Sequence, residues 1–125
     1  MKYRENLPTG CPPADAESID NDRFVFRLVR QEQPTNDDFK SQRAKNPVAK
    51  FHGVSECQAL GLSVHTTKDA SEKVKKLPRF RKNRICRVKL ESGAGKIQQT
   101  GSCSFHHTWW PFANYDILAN CFIEN

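Results

Sequence analysis

The residues of this chain best suited to chemistry are one arginine and two histidines, each on or next to a predicted strand. Arg27 shares a strand face with two valines, and an arginine among apolar neighbours needs a partner or a bound anion. His65 ends a short strand, and His106, or its neighbour His107, follows in the C-terminal part of the chain. An arginine that holds a phosphate and histidines that transfer protons would suit a nucleotide. The sequence therefore predicts Arg27, His65 and His106 as catalytic candidates of a small nucleotide-using, transferase-like enzyme.

The order of these residues resembles that of small ADP-ribosyltransferase-like domains. Those domains begin with an arginine-bearing strand, and their second strand carries a Ser, Thr or His and leads into a helix. The parallel covers Arg27 and the region 62–70. No Glu-x-Glu motif follows Leu90, so the resemblance does not assign the chain to that family.

A second candidate site is the basic block, residues 73–89, which holds nine basic residues and no acidic one. The other 11 Lys and Arg residues stand against 14 acidic residues, so the positive net charge comes from this block, which is predicted to lack counter-charges. Such a concentration favours binding of nucleic acid or another polyanion. The leading hypothesis is a domain that binds nucleic acid or a phosphate-bearing ligand through five cations: Arg79, Arg81, Lys82, Arg84 and Arg87. The alternatives are a solvated face and an interaction module for an acidic protein partner.

Trp109 and Trp110 lie in the aromatic stretch 104–112 and complete the predicted binding site. In an extended segment their rings point to opposite faces, so one is expected in the core and the other is free to stack on a base. Cys103-x-x-His106 has the spacing of half a metal site, but no second pair accompanies it. No metal and no other cofactor is predicted.

Composition indicates a cytoplasmic protein. No apolar run approaches the roughly 20 residues that span a bilayer, and the N-terminus lacks the apolar core of a secretory signal. The five cysteines are odd in number and form no C-x-x-C motif. They are therefore predicted to be free thiols in a reducing compartment.

The elements that must position these residues predict an α+β fold, with a small, mostly antiparallel sheet of about five strands and two short helices. Alternation and β-branched residues predict strands over 23–30, 62–65, 84–90 and 96–100, and a strand or short helix over 115–123. The turn at 91–95 is expected to join the strands on either side of it as a hairpin. Helices are predicted after Pro34 and over 66–76, with one helical turn at 55–60. Residues 1–22 are predicted to be an irregular polar tail, and residues 23–125 a single globular domain.

Overall fold

Seven strands of this chain form one sheet in the computed structural model, which describes residues 2–124. The strands are β1 Glu17–Ser18, β2 Arg23–Val29, β3 Leu62–His65, β4 Arg84–Leu90, β5 Gly95–Gln99, β6 His106–Pro111 and β7 Cys121–Glu124. Their order is β1-β5-β6-β3-β2-β4-β7, and every neighbouring pair is antiparallel. The helices are α1 Gln42–Lys45, α2 Glu56–Ala59 and α3 Lys68–Lys75, and short 3-10 turns span Asn36–Phe39, Pro78–Phe80 and Leu118–Asn120.

The predicted α+β fold with about five strands and two helices is wrong, because the sheet has seven strands and dominates the structure. Of the three helices, α1 and α2 have only four residues each. The sequence did not reveal β1 or β6, and it left β7 open as a strand or a short helix. β1 has two residues in a proline-rich segment, too few to show alternation. β6 lies in the aromatic stretch 104–112, and its residues Thr108–Pro111 are all buried, so polar and apolar residues do not alternate along it.

The predicted hairpin between β4 and β5 is also wrong. β4 pairs with β2 and β7, whereas β5 pairs with β1 and β6. The chain turns where Ala94 N–H donates to Glu91 O, and it then crosses to the other half of the sheet. In proteins generally, consecutive strands are neighbours in the sheet more often than not. Nothing in the sequence indicated that β4 and β5 are an exception to this tendency.

One face of the sheet carries the core. Val25, Val88 and Trp109 are fully buried on it, and Phe39 and Ile117 pack there from outside the sheet. The opposite face is partly covered by α3, which contacts β2, β3 and β4. Thr67 caps this helix by accepting a hydrogen bond from Ala70 N–H, and Ser55 caps α2 in the same way. Local capping therefore fixes the two helix starts close to where the sequence placed them.

The N-terminal segment, predicted to be an irregular tail, lies along the sheet. Tyr3 forms a β-bridge with Phe112, and Ile19 belongs to the core. Cys11 is disulfide-bonded to Cys57. The prediction that all five cysteines are free is wrong for this pair, whose members are 46 residues apart in the sequence.

The three other cysteines, Cys86, Cys103 and Cys121, are free thiols. Among residues 2–124, no helix combines the length and apolar character needed to cross a bilayer.

Candidate functional site

The sheet opens between β2 and β3. These strands share a single residue pair, Phe26 with His65, whereas β2 pairs with β4 along its whole length. Past this pair the strands diverge, and the space between 27–30 and 61–63 becomes a cleft of about 550 Å³. Side chains of α1, α2, α3 and the 3-10 turn Pro78–Phe80 complete its walls. A concave volume of this size suits a small-molecule ligand.

Arg27 lies where the two strands part. Its Nη1 donates to Ser63 O at 2.6 Å and its Nε to Asp38 O at 3.0 Å. The guanidinium thus donates to a backbone carbonyl group of β3 at a point where the backbone of β2 no longer pairs with β3. Burial lowers the pKa of Arg27 to about 10, so the group still carries its charge at neutral pH. These contacts explain why an arginine stands among valines in β2.

His65 and His106 face each other across β3 and β6 at one end of the cleft. Their ring centroids are 5.6 Å apart in an edge-to-face arrangement. His106 Nδ1 lies 3.0 Å from the hydroxyl oxygen of Thr100 and 3.1 Å from its carbonyl oxygen, so this residue orients the ring. His65 Nδ1 bonds Ser71 Oγ at 2.9 Å. Burial, and then the neighbouring His106, lower the pKa of His65 to about 4, so this ring is neutral at pH 7.

Positive charge converges on the cleft. Its lining contains five cationic side chains: Arg27, Arg30, Lys40, Lys45 and Arg79. Of these, Lys40 pairs with Asp37 at 2.9 Å. Within residues 2–124, the other four form no ion pair. Burial lowers the pKa of Lys45, and the charges of Arg27 and Arg30 lower it further.

One carboxylate lies among these cations. Asp38 is the only acidic residue that lines the cleft among the described residues. Its oxygens accept hydrogen bonds from the backbone N–H groups of Arg30 and Thr35 at 2.9 and 3.0 Å. These neutral donors leave its charge in place. Burial lowers the pKa of Arg27 and of Lys45, and the charge of Asp38 partly offsets this effect. The lining therefore holds five cationic side chains against one carboxylate.

The wall formed by α1 and α2 is tied together from two sides. Arg43 of α1 makes two hydrogen bonds to the carboxylate of Glu56 in α2, at 2.8 and 2.9 Å. From the N-terminal segment, Glu5 accepts hydrogen bonds from both the backbone N–H and the hydroxyl of Ser41, the cap of α1. These bonds hold the cleft wall in place without using any of its unpaired cations.

The structure brings Arg27, His65 and His106 to one cleft, although they come from three different strands. The strands β6, β3 and β2 are consecutive in the sheet, which makes this convergence possible. Arg27 leaves the sheet on the face opposite to the two histidines, because its neighbour Phe26 pairs with His65, and it reaches the cleft where β2 and β3 part. His107 does not line the cleft, and its Nδ1 is buried without a hydrogen-bond partner in the described part of the chain.

The stacking role predicted for Trp109 or Trp110 is wrong, because both rings are buried, with 0% and 2% exposure. Their rings do lie on opposite faces, but both faces are covered at this point. Trp109 Nε1 donates to Ala94 O, and Trp110 Nε1 donates to Cys57 O beneath α2. Neither ring presents a surface to a ligand.

The basic block does not form one surface. Arg79 enters the cleft, while Arg81 and Arg84 line a shallow groove of about 640 Å³ outside it. Arg87 lies on the outer face of the sheet, with its guanidinium 4.7 Å from the ring of Phe24 and 5.6 Å from that of Phe122. Lys82 is exposed beside Arg81.

The predicted absence of counter-charges is wrong for the strand part of the block. Acids from elsewhere in the chain face its cations in four pairs: Arg84–Glu32 at 2.7 Å, Arg87–Glu124 at 4.0 Å, Lys89–Asp22 at 3.6 Å and Lys89–Glu91 at 3.3 Å. Three of these four acids lie far from their partners in sequence. A charge count along the chain could not show such pairs.

Sequence reasoning did not find three cations of the cleft, namely Arg30, Lys40 and Lys45. They are scattered over a stretch that also contains Asp37 and Asp38, so they form no conspicuous run. The signal that could have indicated them is their closeness in sequence to Arg27, which was itself singled out.

The half-site Cys103-x-x-His106 does not become a metal site among the described residues. No group of three or more His, Cys, Asp or Glu side chains lies close enough there to hold an ion. Cys86 is buried in the core, while His106 lies on the face toward α3, so this cysteine does not complete the half-site. Burial also raises the pKa of Cys86 to about 12.

Comparisons of the chain with protein-family models, curated proteins and solved structures find no match. The parallel with ADP-ribosyltransferase-like domains gains no support from them. The cleft and its charges are therefore the evidence that bears on function.

Proposed function

We propose that the cleft between β2 and β3 binds a phosphate-bearing small ligand such as a nucleotide. The observation that carries this proposal is the convergence of Arg27, Arg30, Lys45 and Arg79 on one cleft, with no ion-pair partner in the described part of the chain. A phosphate would supply the negative charge that these side chains lack, and it would accept hydrogen bonds from several of them at once. Neutral side chains in the same lining, among them Gln58 and Asn83, would contact the rest of the ligand.

Isothermal titration calorimetry with pyrophosphate, AMP and adenosine tests this proposal. Pyrophosphate and AMP are expected to bind, more weakly as salt is added, and adenosine is expected not to bind. The double variant Lys45→Gln/Arg79→Gln should lose at least about tenfold in affinity, because two charge-assisted contacts disappear. The control Lys2→Gln/Lys50→Gln removes the same charge from outside the cleft lining and should bind like the wild type. Equal losses in both variants, or no binding of either anion, would contradict the proposal.

A second candidate function, a small enzyme that acts on the bound nucleotide, is favoured by the position of His106. Its ring lines the cleft beside the neutral His65, and Thr100 orients it. A histidine placed in this way next to a bound nucleotide can transfer a proton during cleavage or transfer. Products should appear by ³¹P NMR when the wild type is incubated with nucleotides, and His106→Gln should abolish them while binding persists. If nucleotides bind but no products appear, the enzyme hypothesis is refuted and the protein is a binding module.

An acidic protein as partner and a cytoplasmic location also remain proposals. The location was inferred from the lack of a secretory signal and from the odd number of scattered cysteines. The Cys11–Cys57 disulfide does not support it, because such bonds are rare in the cytosol. Mass spectrometry of the protein from its native source, with thiols blocked before lysis, decides whether this bond exists there. Alkylation of Cys11 and Cys57 would support the cytoplasmic location, and a Cys11–Cys57 cross-linked peptide would oppose it.

A further inference from the structure

Six cations at the end of α3 and in the turn after it have no carboxylate partner among the described residues. They form the cationic segment, defined as Lys73, Lys75, Lys76, Arg79, Arg81 and Lys82. Within residues 2–124, none of the six makes an ion pair or a side-chain hydrogen bond. The strand that follows differs, since its cations Arg84, Arg87 and Lys89 all have carboxylate neighbours. The unpaired charge of the basic block is therefore concentrated in residues 73–82.

The cationic segment borders three adjoining depressions. Arg79 lines the cleft. Lys73 lines a second cavity of about 560 Å³, which shares His65 and His106 with the cleft. On the other side, Lys76 and Arg81 line the shallow groove. A ligand with one or two phosphates would occupy only the cleft, so it would leave most of this charge unused.

A nucleic-acid strand matches this layout, because its phosphates recur along the chain. The features that favour a single strand over a duplex are aromatic. The guanidinium of Arg79 lies 4.7 Å from the ring of Phe80, and Phe105, 48% exposed, borders the second cavity. Unpaired bases stack on such arginine and aromatic faces, which a duplex does not reach. The cleft, recessed between two strands of the sheet, would accept the end of a strand and not the side of a duplex.

We infer that the phosphate bound in the cleft is the terminal phosphate of a single-stranded nucleic acid, whose backbone follows the cationic segment towards the shallow groove. This inference rests on the proposed function, which it deepens by naming the class of ligand. It assigns Arg79 to the terminal phosphate, and it assigns Lys76 and Arg81 to phosphates further along the strand.

Fluorescence anisotropy with 3′-labelled single strands of about 12 nucleotides tests the inference, a length within the range that one small domain covers. Strands with a 5′-phosphate, a 3′-phosphate or hydroxyl ends are titrated at several salt concentrations, and the label of the 3′-phosphorylated strand is moved to its 5′ end. A strand with a terminal phosphate should bind about tenfold or more tightly than the hydroxyl-ended strand, and pyrophosphate should compete with it. Lys76→Gln/Arg81→Gln should weaken strand binding about tenfold and reduce the salt slope by about 1.4, while pyrophosphate binding is unchanged. The matched control is again Lys2→Gln/Lys50→Gln, which should change neither.

The outcomes separate this inference from the proposed function. If pyrophosphate binds but no strand binds more tightly than pyrophosphate, the proposed function is supported and the inference of a single-stranded ligand is refuted. If strands bind and pyrophosphate neither binds nor competes, the proposed function fails and the terminal-phosphate assignment fails with it. Equal losses in the control variant, or equal binding of a poly-glutamate peptide, would show that net charge alone attracts the strand. A duplex that binds as tightly as the single strand would overturn the choice of ligand.

Discussion

Two groups of basic side chains, one in the cleft and one on β4, consist of the same residue types in different surroundings. In the cleft, Arg27 donates to two backbone carbonyl groups, and Lys45 lies among other cations. On β4, Arg84 at the start of the strand pairs with Glu32, and Arg87 lies against two phenylalanine rings near Glu124. A run of positive charge in the sequence therefore does not locate a binding site. The supply of carboxylates by the fold decides which cations remain available.

The largest difference in the free energy of unfolding is expected between the variants Arg27→Ala and Arg87→Ala. Removing Arg27 leaves Asp38 O and Ser63 O without their donor and empties a buried space beside Phe39. Relief of the buried charge, which the lowered pKa of Arg27 reflects, offsets part of that loss. We expect the free energy of unfolding to fall by about 2–3 kcal/mol in urea denaturation. Arg87→Ala should cost less than about 1 kcal/mol, because its contacts are partly solvated. Equal costs would erase the distinction between the two groups.

A smaller effect concerns His65, which is buried where the cleft meets α3. Its pKa is about 6.5 when unfolded and about 4 when folded, so between these values the unfolded chain binds more protons. The free energy of unfolding should therefore decrease as the pH falls from 7 to 4.5, by about 2 kcal/mol from this residue alone.

Urea denaturation at several pH values checks this expectation. The decrease should shrink by that amount in His65→Gln and persist in the control His52→Gln, which changes an exposed histidine. His107, whose pKa burial also lowers, contributes in the same direction in both variants. An unchanged pH dependence in His65→Gln would mean that this ring titrates normally in the folded protein.

The smallest expected change in the free energy of unfolding has opposite signs for a cation of the cleft and a cation of β4. Lys45→Met should raise the free energy of unfolding by a few tenths of a kcal/mol, because it relieves repulsion from Arg27 and Arg30. Arg84→Met should lower it by a similar amount, because it removes the pair with Glu32. Thermal melts at low and high salt measure both, and added salt should diminish both changes. If Lys45→Met destabilises the protein, repulsion from Arg27 and Arg30 does not dominate the environment of this lysine.

Much of the local structure could be predicted from the sequence. The β-branched run of β2 and the alternation of β4 gave strands that the structure confirms within a residue. The helical turn predicted at 55–60 and the helix predicted over 66–76 contain α2 and α3. The pairing of β5 could not be predicted, because the turn at 91–95 is compatible both with a hairpin and with a crossing to another strand.

The candidate site was predictable in its residues and not in its surroundings. Arg27 was conspicuous because a charged side chain breaks an apolar strand face, and that reasoning needs only alternation. The burial of Trp110 was not predictable, because it depends on α2 and on the N-terminal segment, which cover the second face of the sheet. The Cys11–Cys57 disulfide, which the cysteine count did not suggest, joins these two covering elements.

Propensity, alternation and charge count are enough to find most of the local elements, the concentration of positive charge and the unusual position of Arg27, because these features depend on neighbours within a few residues. Three features emerge only in the folded chain: β2 and β3 part after one pair, the cleft gathers cations from three separate segments, and distant acids pair with the cations of β4. Charge pairing and burial depend on distances in space, which strand order sets and local sequence does not.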